Sequence, residues 1–405
     1  MKSLYFYYTT LLSLLLYSCD YKSTYSSPYI CVLDKIDVDS LTDRASILYS
    51  QLYSDVEYIP LETTESSLIA TITKMEILDN ESILVFDKMK GTVYLFGKDG
   101  KFLRQIGYKG NGHNEYAFIQ DMAYDRYNNQ IIIFDSAKNI LMFYDKDGNY
   151  LSSLKLSCFP SAFSVVDKEH LCLYLNYSDV LDDCSMGHNV MIINREGRIC
   201  AKLLEYDREL QHFAPFCENI FFQSNNILYI KPPFSNTIYN VSKNDAIRTF
   251  SLDLGEDFIT EDWFRQPTGE FDSSLSLVGK GVFIYSFLES SSYLFWAVSN
   301  RGRLYLCIMN KNKNYEKSYV AHMGNDIYGF VSSIVPMTLK NDKCYNIIES
   351  SKFTRWKERF KKNNGICRVV RNGVLKDIIP TQAETDLLNS VNDGDNPVVQ
   401  VCTLK

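Results

Sequence analysis

Five histidines (His113, His170, His188, His212 and His322) are the side chains whose unperturbed pKa would let them trade protons near neutral pH. None belongs to an HExxH pair, and neither a GxSxG elbow nor a phosphate-cradling P-loop occurs in the chain. The side chains with chemistry to offer lie instead between apolar runs. Lys109 and the run Gly110-Asn111-Gly112-His113-Asn114-Glu115-Tyr116 bring an amine, an imidazole, a carboxylate and a phenol into one short connector. Asp87 and Asp135 each end an apolar run. Asp179, Asp182 and Asp183 sit in SDVLDDCSMG (178–187), without the alternating oxygen spacing of a calcium loop. Trp263 and Arg265 in GEDFITEDWFRQPTGE (255–270) pair apolar area with a guanidinium, the combination found at binding hot spots. The stretch KFTRWKERFKKNNG (352–365) reads as a basic helix with a solvated face. Each of these also has a structural role open to it. An Asp after a strand caps its turn by accepting from backbone amides. Gly110 and Gly112 form turns, with Glu115 and Tyr116 packing beside them.

The elements that must hold these residues follow from an internal repeat. ILVFDKMKGTVYLFGKDGKFL (83–103) aligns without gaps on IIIFDSAKNILMFYDKDGNYL (131–151), so that Ile83 and Ile131 begin two copies 48 residues apart. Weaker copies follow at 190–203, 227–252 and 293–320. The second copy parses into four strands, 119–125, 131–135, 140–146 and 149–156. Asp147-Gly148 is the hairpin signal between the last two, because such turns need a positive φ. Four short antiparallel strands in a unit of this length make one blade of a β-propeller. Tyr (29) and Phe (24) are abundant, which is the vocabulary of half-buried strands. The expected fold is all-β, a six-bladed propeller of four-stranded antiparallel blades over 55–405. It carries insertions near 255–275 and 345–395, the latter adding a minor C-terminal helical share. VEYIPLE (56–62) and NPVVQVCTL (396–404) are suited to close the ring.

The first residues carry a different message. Lys2 precedes the apolar run 4–17, which is too short to cross a bilayer as a helix needing roughly 20 residues. Leu16-Tyr17-Ser18-Cys19 resembles a bacterial lipobox, in which the cysteine becomes the first residue and carries acyl chains. The expectation is a signal peptide over 1–18, lipidation at Cys19, and a linker over 19–54. Two or more buried chains, each CH₂ contributing about 0.8 kcal/mol, hold a protein to a membrane stably. Of the eleven cysteines, none forms a CxxC or pairs with histidines at zinc spacing. Cys172 and Cys307 lie inside apolar strands and read as buried thiols, whereas Cys158 and Cys184 could form a bridge in an oxidising compartment. The net charge of −7 gives no basic stripe for nucleic acid.

VEYIPLETT, a strand ending in Asp, KDGKFLRQIG and GxGxxEY together resemble the six-bladed β-propeller lipoproteins of Bacteroidota, with NHL- and TolB-like repeats. The resemblance covers nearly all of the mature chain and is most specific over 55–156. In that family the connector reads GxGPGEY, where this chain has His113 and Asn114. The resemblance implies no established catalytic activity. The functional expectation is therefore a non-catalytic binding or interaction scaffold of the cell envelope. It would be anchored to a membrane by its N-terminal lipid, with the outer membrane as its expected home. Its partner would be a glycan, a peptide or an envelope protein, with no nucleic acid and no cofactor. The alternative is a hydrolase or lyase working at the mouth of the central channel. The candidate ligand face comprises Asp87, Lys109, Asn111, His113, Glu115, Tyr116, Asp135, Trp263 and Arg265.

Overall fold

A computed structural model describes residues 31–33, 46–178, 186–210, 219–224, 226–260, 281–327, 333, 335–371 and 374–405. The signal segment and Cys19 lie outside these. Ahead of the repeats come β1 (Cys31–Leu33), β2 (Ser46–Leu48), the single turn α1 (Tyr49–Leu52) and β3 (Tyr53–Pro60). Blade 1 is β4 (Lys74–Ile77), β5 (Ile83–Asp87), β6 (Thr92–Phe96) and β7 (Phe102–Ile106). Blade 2 is β8 (Ile119–Asp125), β9 (Gln130–Asp135), β10 (Ile140–Asp145) and β11 (Tyr150–Lys155). Blade 3 is β12 (Ala162–Val165), β13 (His170–Tyr174), β14 (His188–Asn194) and β15 (Ile199–Glu205). Blade 4 is β16 (Phe221–Ser224), β17 (Ile227–Ile230), β18 (Thr237–Val241) and β19 (Ala246–Leu252). Blade 5 is β20 (Val282–Glu289), β21 (Tyr293–Asn300), β22 (Arg303–Asn310) and β23 (Glu316–Val320), followed by the short β24 (His322–Gly324). Blade 6 starts with β25 (Thr338–Lys340) and β26 (Lys343–Ile348). The chain then forms α2 (Ser350–Lys362), the hairpin β27 (Cys367–Arg371) and β28 (Val374–Ile378), and α3 (Gln382–Ser390). It returns as β29 (Val398–Leu404). The fold is the expected six-bladed propeller of four-stranded antiparallel blades.

Blade 6 runs β25-β26-β29-β3, so its outermost strand comes from the start of the chain. Val399 faces Ile59 and Val401 faces Glu57 across that seam. Apolar layers lie between neighbouring blades all the way round. One joins β3 and β29 to β4 and β5 through Ile59, Met75, Val85, Val399 and Val401. Fully burying each such aliphatic side chain contributes about 1.5–3 kcal/mol. Second strands are covered by a blade on each side, which is why Ile83–Asp87 is buried throughout. Cys172 and Cys307 are buried thiols in β13 and β22, as their apolar surroundings suggest. Cys158 is buried, and Cys184 lies outside the described residues.

Two further features of the fold stand out. Part of 19–54 is paired into the propeller. Residues 31–33 pair in parallel with β19, and 46–48 pair with β24. Asp326 fixes the latter stretch by accepting from the Ser50 amide at 2.8 Å. Blade 5 places its tight turn on a different hairpin from blade 2. The eight-residue strands β21 and β22 are joined by Arg301 and Gly302, both at positive φ, between the second and third strands. In blade 2 the positive-φ glycine, Gly148, lies between the third and fourth.

The seam is fastened by buried amides. Asn396, 1% exposed, accepts from Ile69 N and donates to Glu62 O and Ser67 O, each at 2.8 Å. Gln400 donates to the Tyr58 hydroxyl at 3.1 Å and accepts from the Tyr49 hydroxyl at 3.0 Å. Removing one partner strands the others, at about 1–3 kcal/mol per unsatisfied buried group. Asn396→Ala is therefore expected to lower unfolding free energy by about 2–4 kcal/mol in urea melts. A loss below about 0.5 kcal/mol, within the range of an ordinary surface substitution, would detach ring closure from this side chain.

Candidate functional site

First strands touch between five of the six neighbouring blade pairs, and β4, β8, β12, β16, β20 and β25 wall a central channel. Strand direction alternates within each blade. One face of the ring therefore carries the connectors between blades and the turns between second and third strands. The opposite face carries the other hairpins. Between the faces the channel leaves a cavity of about 130 Å³, bordered by residues of all six blades. That volume holds several waters.

Charged side chains line this cavity. Lys74 Nζ lies 2.9 Å from Asp121 Oδ1 and donates to Met122 O at 2.6 Å. Asp121 is held in turn by the amides of Met122 (2.8 Å) and Phe163 (3.0 Å). Burial works against the Lys74 charge, but Asp121 and Glu76 outweigh it and its pKa stays above the ordinary lysine value. Glu76 follows two residues later on the same strand face. It is half-buried, and desolvation raises its carboxyl pKa although Lys74, Arg126 and Lys340 pull the other way. On the hairpin face, Lys340 is tied to Asp79 (2.8 Å) and to Ile77 O (2.9 Å). Arg126 extends from blade 2 to the amide oxygen of Asn226 in blade 4, at 3.4 Å. Lys88 borders the cavity from the connector face, directly after Asp87.

The residues singled out from the sequence are placed as follows. Asp87 and Asp135 have no exposed surface. Asp87 accepts from the amides of Ala70 (2.6 Å) and Lys90 (3.1 Å). Asp135 accepts from Ala117 (2.7 Å), Phe118 (3.2 Å), Ala137 (3.0 Å) and Lys138 (3.2 Å). Each carboxylate thus joins its own turn to the preceding connector. Glu115 accepts from the Gly112 amide at 2.8 Å, and a Cβ on Gly110 would collide with its carboxylate. That contact explains the GxGxxE spacing, since the glycines leave room for the acid. Tyr116 is 1% exposed in the layer between blades 1 and 2, its hydroxyl 3.2 Å from Gln105 Nε2. Lys109, Asn111 and His113 are exposed. His113 packs edge-on to Tyr150 of β11, the outermost strand of blade 2. The connector residues and the two aspartates therefore share a face, but they do not meet at one point. Trp263, Arg265, Asp179, Asp182 and Asp183 lie outside the described residues. Among those described, no three His, Cys, Asp or Glu side chains gather closely enough to hold a metal ion.

Lys74, Glu76, Asp121 and Arg126 were not among the residues chosen from sequence. Their signal was there as charge inside otherwise apolar first strands, TKMEI (73–77) and IQDMAYDR (119–126). A propeller's first strands face the channel, so polar residues at alternate positions on them mark its wall.

Among solved structures, the chain resembles a protein of Bacteroides fragilis NCTC 9343 described as exported. The TM-score is 0.67 and the identity 17%, covering 89% of this chain and 99% of that one. A member of the DUF4221 family from Bacteroides vulgatus gives 0.47 at 12% identity, covering 87% and 97%. A virginiamycin B lyase from Staphylococcus aureus gives 0.42 at 9%, covering 86% and 99%. At such identities likeness speaks to fold alone, and the last two carry no argument. No curated protein matches the sequence. Residues 33–403 match the family described as Domain of unknown function (DUF4934), and the chain, matched over nearly its whole length, belongs to that family.

Proposed function

We propose that this protein is a lipid-anchored, non-catalytic binding scaffold of the cell envelope whose ligand seat is the central channel and its connector-face mouth. The observation that carries the reading is the polar wall of the cavity. Lys74 and Asp121 stand there as a pair, and burying charge is costly unless something repays it. A packed aliphatic axis would serve stability at least as well, so the retained charges point to recognition. Exposed apolar side chains on the connector face, Leu68, Met89, Phe118 and Phe159, offer contact area for a glycan, a peptide or an envelope protein. The anchoring half rests on Leu16-Tyr17-Ser18-Cys19. No helix of the described residues is long and apolar enough to cross a membrane.

Two measurements test the two halves. Cys19→Ala is expected to abolish acyl labelling and to shift the protein out of the membrane fraction. Unchanged labelling and fractionation would remove the anchor. For the seat, glycan and peptide arrays are probed with the parent and with Gln120→Trp, which places an indole in the channel. Molecules retained by the parent and lost by the variant, at an unchanged melting midpoint, are the expected outcome. Equal retention by both would move the seat off the channel, and turnover of a retained molecule would overturn the non-catalytic reading.

A further inference from the structure

Four cations border the cavity, Lys74, Lys88, Arg126 and Lys340, against two carboxylates, Glu76 and Asp121. The wall's formal balance, four minus two, is +2, in a chain whose net charge is −7. Two of the cations are already engaged, Lys74 by Asp121 and Lys340 by Asp79. Arg126 has no ion pair among the described residues. Its Nη1 reaches only the neutral Asn226 amide oxygen at 3.4 Å, and its Nε is buried without a hydrogen-bond partner. A buried donor on a charged group is costly to leave unmade. Glu76 is the complementary case. Its carboxylate takes no hydrogen bond from any described residue, although it borders the same cavity.

Resting on the channel as the ligand seat, we propose that its ligand is a small organic carboxylate. The carboxylate is held by the guanidinium of Arg126, with Glu76 on the same cavity wall as its second contact. A guanidinium presents two parallel N–H groups that match a carboxylate, and this fork is the strongest neutral-pH recognition the cavity can offer. A monoanion fits better than a dianion. Asp121 borders the same cavity with its charge, and the amines nearest it are already spent. Lys88, at the other mouth and without a partner among the described residues, sets a positive entrance that draws anions in.

Proton linkage follows from the groups that face Glu76. Lys74 and Arg126 favour its charged form, as does Lys340 from β25, whereas burial and Asp121 disfavour it, and the balance leaves its pKa raised. A bound anion adds a further like charge, so binding takes up a proton. Affinity is then full below the pKa of Glu76 and declines as pH rises through it. Glu76→Gln keeps a donor at every pH and removes the repulsion.

The test is calorimetric titration of the purified full chain with glucuronate at pH 5 and pH 8, with uncharged glucose as control. The parent is expected to bind glucuronate about tenfold more weakly at pH 8 than at pH 5, in the direction that proton uptake on binding requires. Arg126→Gln should lose about tenfold or more at both, as loss of a charge-assisted fork implies, with Arg126→Lys recovering only part. Glu76→Gln should bind equally at both pH values. Melting midpoints of the variants exclude misfolding as the cause. Glucose binding as well as glucuronate, no glucuronate binding by the parent at pH 5, or binding indifferent to Arg126→Gln would each overturn the carboxylate assignment. Gln120→Trp separates the two levels. Glucuronate binding lost there but kept in Arg126→Gln leaves the channel as the seat and removes only the anion.

Discussion

Blade 6 is completed only by strands from opposite ends of the chain, and the packing that closes the ring at its centre depends on that junction. Here β29 lies between β26 and β3, with Asn396 and Gln400 holding the junction through buried amide hydrogen bonds. An open end would expose a row of unpaired backbone groups and one apolar blade face. It would also release β25 from β4, and with it Lys340 from Asp79 and Ile77 O. The channel wall is thus a product of closure rather than of any one blade. Residues that meet across it come from strands separated by tens to hundreds of positions.

That dependence decides what could be read from the sequence. The first two blades were legible because their copies align without a gap and Asp-Gly turns punctuate them. The closing strands were legible as β-rich ends. Asp87 and Asp135 were legible as strand-end residues, and burial with four amide contacts on Asp135 explains why the type recurs. The GxGxxEY spacing was visible, but its cause was not, since it lies in a carboxylate folding back over Gly110. Blade 5 was harder because Arg301-Gly302 puts the tight turn one hairpin earlier than in blade 2. The channel charges escaped attention for a different reason. Lys74 and Asp121 are unremarkable in their own strands and become a pair only when blades 1 and 2 stand side by side.

The distribution of polar groups separates two kinds of work. Asp87, Asp135, Asn396 and Gln400 are buried with their oxygens on nearby donors, so each contributes to stability and leaves little for a ligand. Their substitution would be felt as unfolding. Glu76, Lys88 and Arg126 are different. They border the cavity from blades 1 and 2, the side chains of Glu76 and Lys88 make no hydrogen bond or ion pair among the described residues, and Arg126 Nε has no partner there. Loss of their charge would be felt less by the fold than by whatever enters the channel.

Why the wall is kept charged then has a physical answer. Raising the pKa of Glu76 means that its ionised form is disfavoured in the folded state, which costs stability at neutral pH. With its folded pKa above the unfolded value of 4.5, the contribution of Glu76 to stability is most favourable below that value and is lost as pH rises through the raised pKa. Glutamine at this position would remove the cost without changing the side chain's size. A buried guanidinium nitrogen without an acceptor is a second cost at the same place. Each of these is a local violation of the rules that the rest of the propeller obeys, and such violations concentrate where a protein does something other than fold. Both converge on one cavity at the axis of the ring, where a bound carboxylate would set a negative charge beside the Arg126 guanidinium and a polar partner beside Glu76.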